Sequence, residues 1–398
     1  MNNEEFELFQ KLLSPHSRRD FLKRAGALGL SGAAFSAFLE ACGSGSSSTS
    51  GSSSSVNMAG PIDMQTLMTN AKKEGQLQAI GIPPEWADYK DILAGYTSSY
   101  GIPISYQAEA EYSSAQELEV FKNSIHHPHG DIGDVGFSFG PQAIQQGLVT
   151  PYIHSKWADI PANLKDPKGN WCTEYWGAQA FIVNTDKVKQ MPATFQDLLN
   201  PAYKNMVGID GDPRQATDAF MAVYSSSLAN GGSLDNIQPG IDFFAKLKKA
   251  GNFTSARSSI ANITTGEVAI AVMWDYLGLG FRDQLAGKPN LQVVIPSDGS
   301  LAGPYVSIVN KTAPHPFAAR LWIEYIFSDA GQLDYLKGYA HPARYQVLVS
   351  QNKVPSDLSA KLPPASQYAN VKFVTDQTQL ANATQTLSQN WATQVLGQ

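Results

Sequence analysis

Cysteine is scarce. The 398-residue chain has two, Cys42 and Cys172, too few for a disulfide framework to hold a fold together. Charge is sparse as well: 16% of residues are Asp, Glu, Lys or Arg against 43% hydrophobic, a globular balance that excludes a disordered or fibrous chain. A basic excess is missing too. Thirty-five acidic residues face 29 Lys and Arg, a net charge of −6, whereas a nucleic-acid binder needs a basic face for phosphate. No apolar run reaches 18 residues, so no segment reads as a membrane-spanning helix. The length allows two or three domains with sizeable cores.

What is present begins with an address. Ser17-Arg18-Arg19-Asp20-Phe21-Leu22-Lys23 is a twin-arginine sequence, and the 15 residues 25–39 behind it carry no charge. That run is shorter than the about 20 residues of a bilayer helix and suits the apolar part of an export signal. Leu39-Glu40-Ala41-Cys42 then resembles the lipobox of bacterial lipoproteins, with Glu40 an unusual residue two positions before the cysteine. Residues 43–55 are 13 positions of Ser, Gly and Thr alone. Such a tract buries nothing and behaves as a flexible coil about 20 Å long. The order predicts a signal peptide at 1–41, a lipid anchor on Cys42 and a tether over 42–60. Residues 1–41 hold five acidic and five basic residues, so the remainder keeps 30 against 24 and the same −6.

The body alternates strand-like and helix-like apolar patterns. Helices are predicted at 62–73, 89–100, 113–125, 141–146, 194–199, 215–229, 235–250 and 317–327. Strands are predicted at 77–82, 102–107, 131–137, 178–183, 206–210, 268–274, 291–295 and 305–309. Gly75 and Gly101 stop two helices, and Ser113-Ser114-Ala115-Gln116-Glu117 reads as a capping box opening a third. This order predicts an α/β fold with a mainly parallel sheet flanked by helices.

Several segments, in order and spacing, resemble the extracytoplasmic solute-binding proteins of ABC importers, in the branch with polyamine-, iron(III)- and aminophosphonate-binding members. They are Asp131-Ile132-Gly133-Asp134-Val135, Gly147-Leu148-Val149-Thr150-Pro151-Tyr152, Thr194-Phe195-Gln196-Asp197-Leu198-Leu199-Asn200-Pro201, Gly266-Glu267-Val268-Ala269-Ile270, and Ala313-Pro314-His315-Pro316-Phe317 with Ser328-Asp329-Ala330-Gly331-Gln332. The resemblance spans about residues 75–345. It implies a two-lobed fold of the type 2 periplasmic-binding-protein kind, with residues 61–178 and 303–338 as one lobe and 179–302 and 339–398 as the other. It implies capture of a small solute between the lobes, delivery to a membrane permease, a monomeric chain anchored outside the cytoplasm, no cofactor, and no catalysis.

In open parallel sheets, ligands sit beyond the carboxyl ends of the strands. The loops there carry Glu85 and Trp86; Glu109, Glu111 and Tyr112; Ser138; Asp210, Asp212 and Arg214; and Trp274 and Asp275, with Tyr305 at a lobe crossing. Aromatic faces beside carboxylates hold a cation, so these residues favour a polyamine-like ligand. Arg214 at a helix start points instead to a phosphonate or carboxylate. The iron(III)-binding relatives use adjacent tyrosines, and no Tyr-Tyr pair occurs here.

Three other patterns have sharper readings. Gly136-Phe137-Ser138-Phe139-Gly140 matches the nucleophile elbow of a secreted Ser hydrolase, with His315 and His341 in the required chain order. No oxyanion motif lies upstream. His126-His127-Pro128-His129 offers imidazoles to a metal, but Pro128 keeps it off a helix, and a polar surface loop is the plain reading. Cys172 has no adjacent base and reads as a small core residue.

Overall fold

The computed structural model describes residues 56–106, 112–360 and 365–398. The twin-arginine segment, Cys42, the tether, Glu109 and Glu111 lie outside the described residues. Elements follow the local signals closely. Helix α1 (Met64–Glu74) opens on the Asp63 side chain, which accepts from the Gln65 and Thr66 amides, and ends at Gly75 in the left-handed conformation. After β1 (Leu77–Ile80), α2 (Tyr89–Tyr100) stops the same way at Gly101. Past β2 (Ile104–Tyr106), the capping box forms: Ser113 and Gln116 satisfy each other's amides at the start of α3 (Ser114–Asn123). Next come β3 (Ile132–Gly136), α4 (Phe139–Gln145), β4 (Trp171–Asn184), β5 (Val207–Ile209), α5 (Thr217–Ala229), α6 (Gln238–Lys249) and α7 (Ile260–Thr265). The chain continues with β6 (Ile270–Trp274), α8 (Asp275–Leu285), β7 (Leu291–Val294), β8 (Ser300–Val309), α9 (Pro316–Ile326), α10 (Asp329–Lys337) and β9 (His341–Pro342). It closes with α11 (Tyr345–Ser350), α12 (Ser356–Ser359), β10 (Val371–Phe373) and α13 (Gln377–Trp391).

The strands form one path, β2-β1-β3-β8-β4-β6-β5. The pairs β1–β2, β1–β3 and β5–β6 are parallel. The two long strands are not: β8 runs antiparallel to β3, and β4 runs antiparallel to β8, β6 and β7. The sheet is therefore mixed rather than mainly parallel. β4 changes partner partway, pairing β8 over residues 171–178 and then β6 and β7 over 179–184. β4 begins seven residues before, and β8 five before, the strands predicted at 178 and 305. Their first halves hide behind a buried Glu174 in one and Gly303-Pro304 in the other, residues that ordinarily disqualify a central strand.

Helices cover both faces. α9 packs on α1, and α5 on α6 and β8. Phe181, Ile182, Val183, Val272 and Phe244 are fully buried, and each such side chain contributes roughly 1.5–3 kcal/mol of apolar transfer. That frame brings the loops after β1 and β5 and the end of β3 to one cavity.

Candidate ligand-binding site

The cavity has a volume of about 160 Å³ and lies where the loop after β1, the start of α3, the end of β3, the loop after β5 and the start of α5 converge. One wall is aromatic. Trp86 rests edge-on against Tyr305 and Tyr276, with ring centroids 6.1 and 6.4 Å apart. Tyr305 stacks flat on Tyr175 at 5.4 Å, and its hydroxyl accepts from the Trp274 indole N–H at 3.2 Å. The other walls are acidic: Glu117, Asp134, Asp210, Asp212 and Asp218 all line the space, with Arg257 the cation among them.

Two of these carboxylates are paired. Arg257 Nε donates to Asp210 Oδ1 at 2.6 Å. Arg214 grips Asp212 with Nε at 3.0 Å and a terminal nitrogen at 2.6 Å. Burial pushes the Asp212 pKa up, but the Arg214 hydrogen bonds and charge outweigh it and hold it below the usual carboxylate range. The rest sit in a drier setting. Asp134 is 3% exposed; burial first, and then the neighbouring Glu174 carboxylate, push its pKa well up. Its Oδ2 accepts from the Tyr175 hydroxyl at 2.8 Å, while Oδ1 has no hydrogen-bond partner among the described residues. Glu117 accepts the Asp134 amide at 3.0 Å, and burial lifts its pKa as well. Burial does the same to Asp218, reinforced by the Asp210 charge, although Gln179 and the Trp274 amide donate to it. Behind Asp134, Glu174 accepts from the Ser307, Tyr335 and Tyr89 hydroxyls. A buried carboxylate short of donors is costly.

Trp86, Tyr112, Asp212 and Tyr305 line the cavity, while Glu85, Ser138, Arg214, Trp274 and Asp275 do not. Glu85 is exposed. Trp274 lies buried behind Tyr305. Arg214 is turned onto Asp212 and does not line this cavity. Asp275 is 0% exposed and works as a clasp. It accepts from the Ala178 amide at 2.9 Å, where β4 changes partner, from the Tyr276 amide at 2.9 Å, and from the Tyr368 hydroxyl at 2.7 Å. Glu117, Asp134, Asp218 and Arg257 escaped the loop-based reading because they sit inside elements or a later turn. The available signal was an acid in a strand of otherwise apolar residues, Ile132-Gly133-Asp134-Val135-Gly136.

The hydrolase pattern does not assemble. Ser138 lines a separate cavity of about 20 Å³ with Arg214, Thr217, Phe220 and Thr384, and no histidine lines it. His315 Nδ1 is bound to Asp131 at 2.8 Å, and His341 stacks on Trp176. Both glycines of the pattern have packing reasons: a Cβ at Gly140 would press on the Trp171 indole, and one at Gly136 would collide with Thr217. His126, His127 and His129 are exposed, and among the described residues no group of three His, Cys, Asp or Glu side chains has metal-holding geometry. Cys172 is buried in β4, and burial raises its pKa.

The family model for bacterial extracellular solute-binding proteins matches residues 129–375, more than half of the chain. The protein belongs to this family. Its members are solute-binding proteins rather than enzymes, and the matched residues include Asp134, Asp210, Asp212, Asp218, Arg257 and Tyr305 of the cavity. One relative, named a 2-aminoethylphosphonate-binding periplasmic protein, from Salmonella typhimurium, is 24% identical over 251 residues, 61% of this chain and 70% of its own. Among solved structures, the periplasmic binding protein AfuA from Actinobacillus pleuropneumoniae, with fructose-6-phosphate bound, aligns with a TM-score of 0.60 at 18% identity. That alignment covers 79% of this chain and 97% of AfuA. AgtB from A. tumefaciens R10, in complex with agropinic acid, aligns with a TM-score of 0.65 at 14% identity, covering 81% and 99%. These likenesses give the fold, that of type 2 periplasmic binding proteins. No helix among the described residues is long and apolar enough to cross a membrane.

Proposed function

We propose that the protein is the substrate-capturing subunit of an ABC importer, and that its solute carries one or more alkylammonium groups, a polyamine-like cation first. One observation carries this reading: Glu117, Asp134 and Asp218 converge, buried and without a salt-bridge partner among the described residues, beside the Trp86–Tyr305 wall. An ammonium group supplies the missing donors, and the aromatic faces add cation–π attraction. An aminophosphonate is the second reading. It offers the same ammonium group and places its anionic end near Arg257 and the first turns of α3 and α5, and it agrees with the name of the Salmonella relative. The partner change of β4 at residues 178–179 supports the lobe boundaries proposed from sequence. Closure between those lobes would present the loaded protein to a membrane permease. The twin-arginine segment and Cys42 support export and lipid anchoring.

Titration calorimetry with spermidine and with 2-aminoethylphosphonate tests the reading in buffers of different ionisation enthalpy. Binding an ammonium group favours the charged form of carboxylates whose pKa burial has raised, so protons are released and affinity climbs with pH. Proton uptake, or binding of neither solute, would overturn it.

A further inference from the structure

Glycines mark the seam between the two halves of the sheet. Gly177 of β4 and Gly303 of β8 are register partners, and a Cβ on either would collide with the Tyr276 or the Trp274 ring. Gly136, the last residue of β3, sits under Thr217, the first residue of α5, and a Cβ there would run into three atoms of that side chain. The backbone at Gly136 is not in the left-handed region. An L side chain is therefore admissible to its backbone, and only the space is lacking.

Ser114, the first residue of α3, completes the contact. Its hydroxyl accepts the Gly136 amide at 3.0 Å and lies 3.3 Å from Thr217 Oγ1. Both hydroxyl residues are buried, at 5% and 7% exposure, because the two helix starts meet over β3. α3 and β3 belong to the half of the sheet led by β1, and α5 to the half led by β5. The contact thus bridges the two halves at the edge of the ligand cavity. Hydroxyls that find water when the halves part make a contact that forms and releases readily. The bare glycine beneath sets the distance at which the contact stops.

We propose that Gly136, Ser114 and Thr217 form a latch, and that the missing side chain at position 136 sets how far the two lobes close over a bound solute. The latch rests on the two-lobe reading above. Its glycine gives the first position of the elbow-like pattern a role in closure instead of catalysis.

A wedge and a clasp test it. In Gly136→Ala the added methyl props Thr217 away, so the Kd for spermidine rises about tenfold, chiefly through a faster koff. Gly136→Ala with Thr217→Gly removes the colliding atoms and brings affinity back to within about threefold of Thr217→Gly alone. The clasp is the full chain with Ser114→Cys and Thr217→Cys, whose side chains stand within reach of a disulfide. Oxidation is expected to lower the radius of gyration in small-angle scattering, and reduction to restore it. Three results overturn the latch: unchanged spermidine affinity in a folded Gly136→Ala, a cysteine pair that never cross-links, or a cross-linked chain with the radius of the reduced one. The clasp uses no solute and decides the latch even where Gly136→Ala fails to fold. Absence of spermidine binding by the unaltered protein counts against the ammonium reading alone.

Discussion

Asp134 has one oxygen on the Tyr175 hydroxyl, and the other, Oδ1, is buried without a hydrogen-bond partner among the described residues. Its raised pKa means that the folded state keeps a proton the unfolded chain gives up, so its contribution to stability declines as pH rises. Asp134→Asn removes the charge and keeps the shape. Its melting temperature at pH 8 should exceed that of the unaltered protein, while its affinity for spermidine falls about tenfold to a hundredfold. Thermal melts and calorimetry measure the two effects, and a loss of both stability and affinity would contradict this account. Asp88 raises the same issue away from the cavity. It occupies a left-handed position after Ala87, and burial, with the Asp91 and Asp334 charges, lifts its pKa to about 7. Stability is then lost as pH climbs from the usual aspartate range toward about 7. Asp88→Asn tolerates the left-handed conformation and should flatten that dependence, with a melting-temperature gain at pH 8 and little change near pH 4. A single-residue reading of sequence misses such groups, because desolvation is a property of what packs around them.

At the scale of elements, local signals were legible wherever the chain's own neighbours decide the structure. The left-handed stops at Gly75 and Gly101 and the Ser113–Gln116 capping box all form where the pattern placed them. The first halves of β4 and β8 were not legible. Glu174 is tolerated there because the Ser307, Tyr335 and Tyr89 hydroxyls satisfy its carboxylate, and all of these partners are distant in sequence. Asp275 is the same lesson at the start of α8. Read as a ligand carboxylate, it instead joins β4, α8 and Tyr368. Asp275→Ala orphans three donors and should cost about 3 kcal/mol in denaturant unfolding. Spermidine affinity of the folded variant should change by less than about threefold; a large affinity loss with full stability would return Asp275 to the cavity.

At the scale of the molecule, address and receptor are separate problems. The proposed export signal, made of the twin-arginine segment, the uncharged run and Cys42, is a linear pattern that would need no fold to be read. Cys42→Ser should abolish incorporation of radiolabelled palmitate in a bacterial host and shift the protein from the membrane fraction to the soluble one. Labelling that survives would refute the anchor.

The class of fold, the order of most elements and the kind of protein were legible along the chain, because periodicity, caps and a run of spaced motifs are local or linear properties. The aromatic and acidic character of the site was also visible, in Trp86, Tyr112, Asp212 and Tyr305. Which acids line the cavity follows from the folded chain alone. Glu117, Asp134 and Asp218 meet at the cavity because two helices and a strand bring them together. Arg214 and Asp275 leave the site because nearer partners claim them. Burial and pairing are set by contacts across the whole chain, and no window along the sequence contains them.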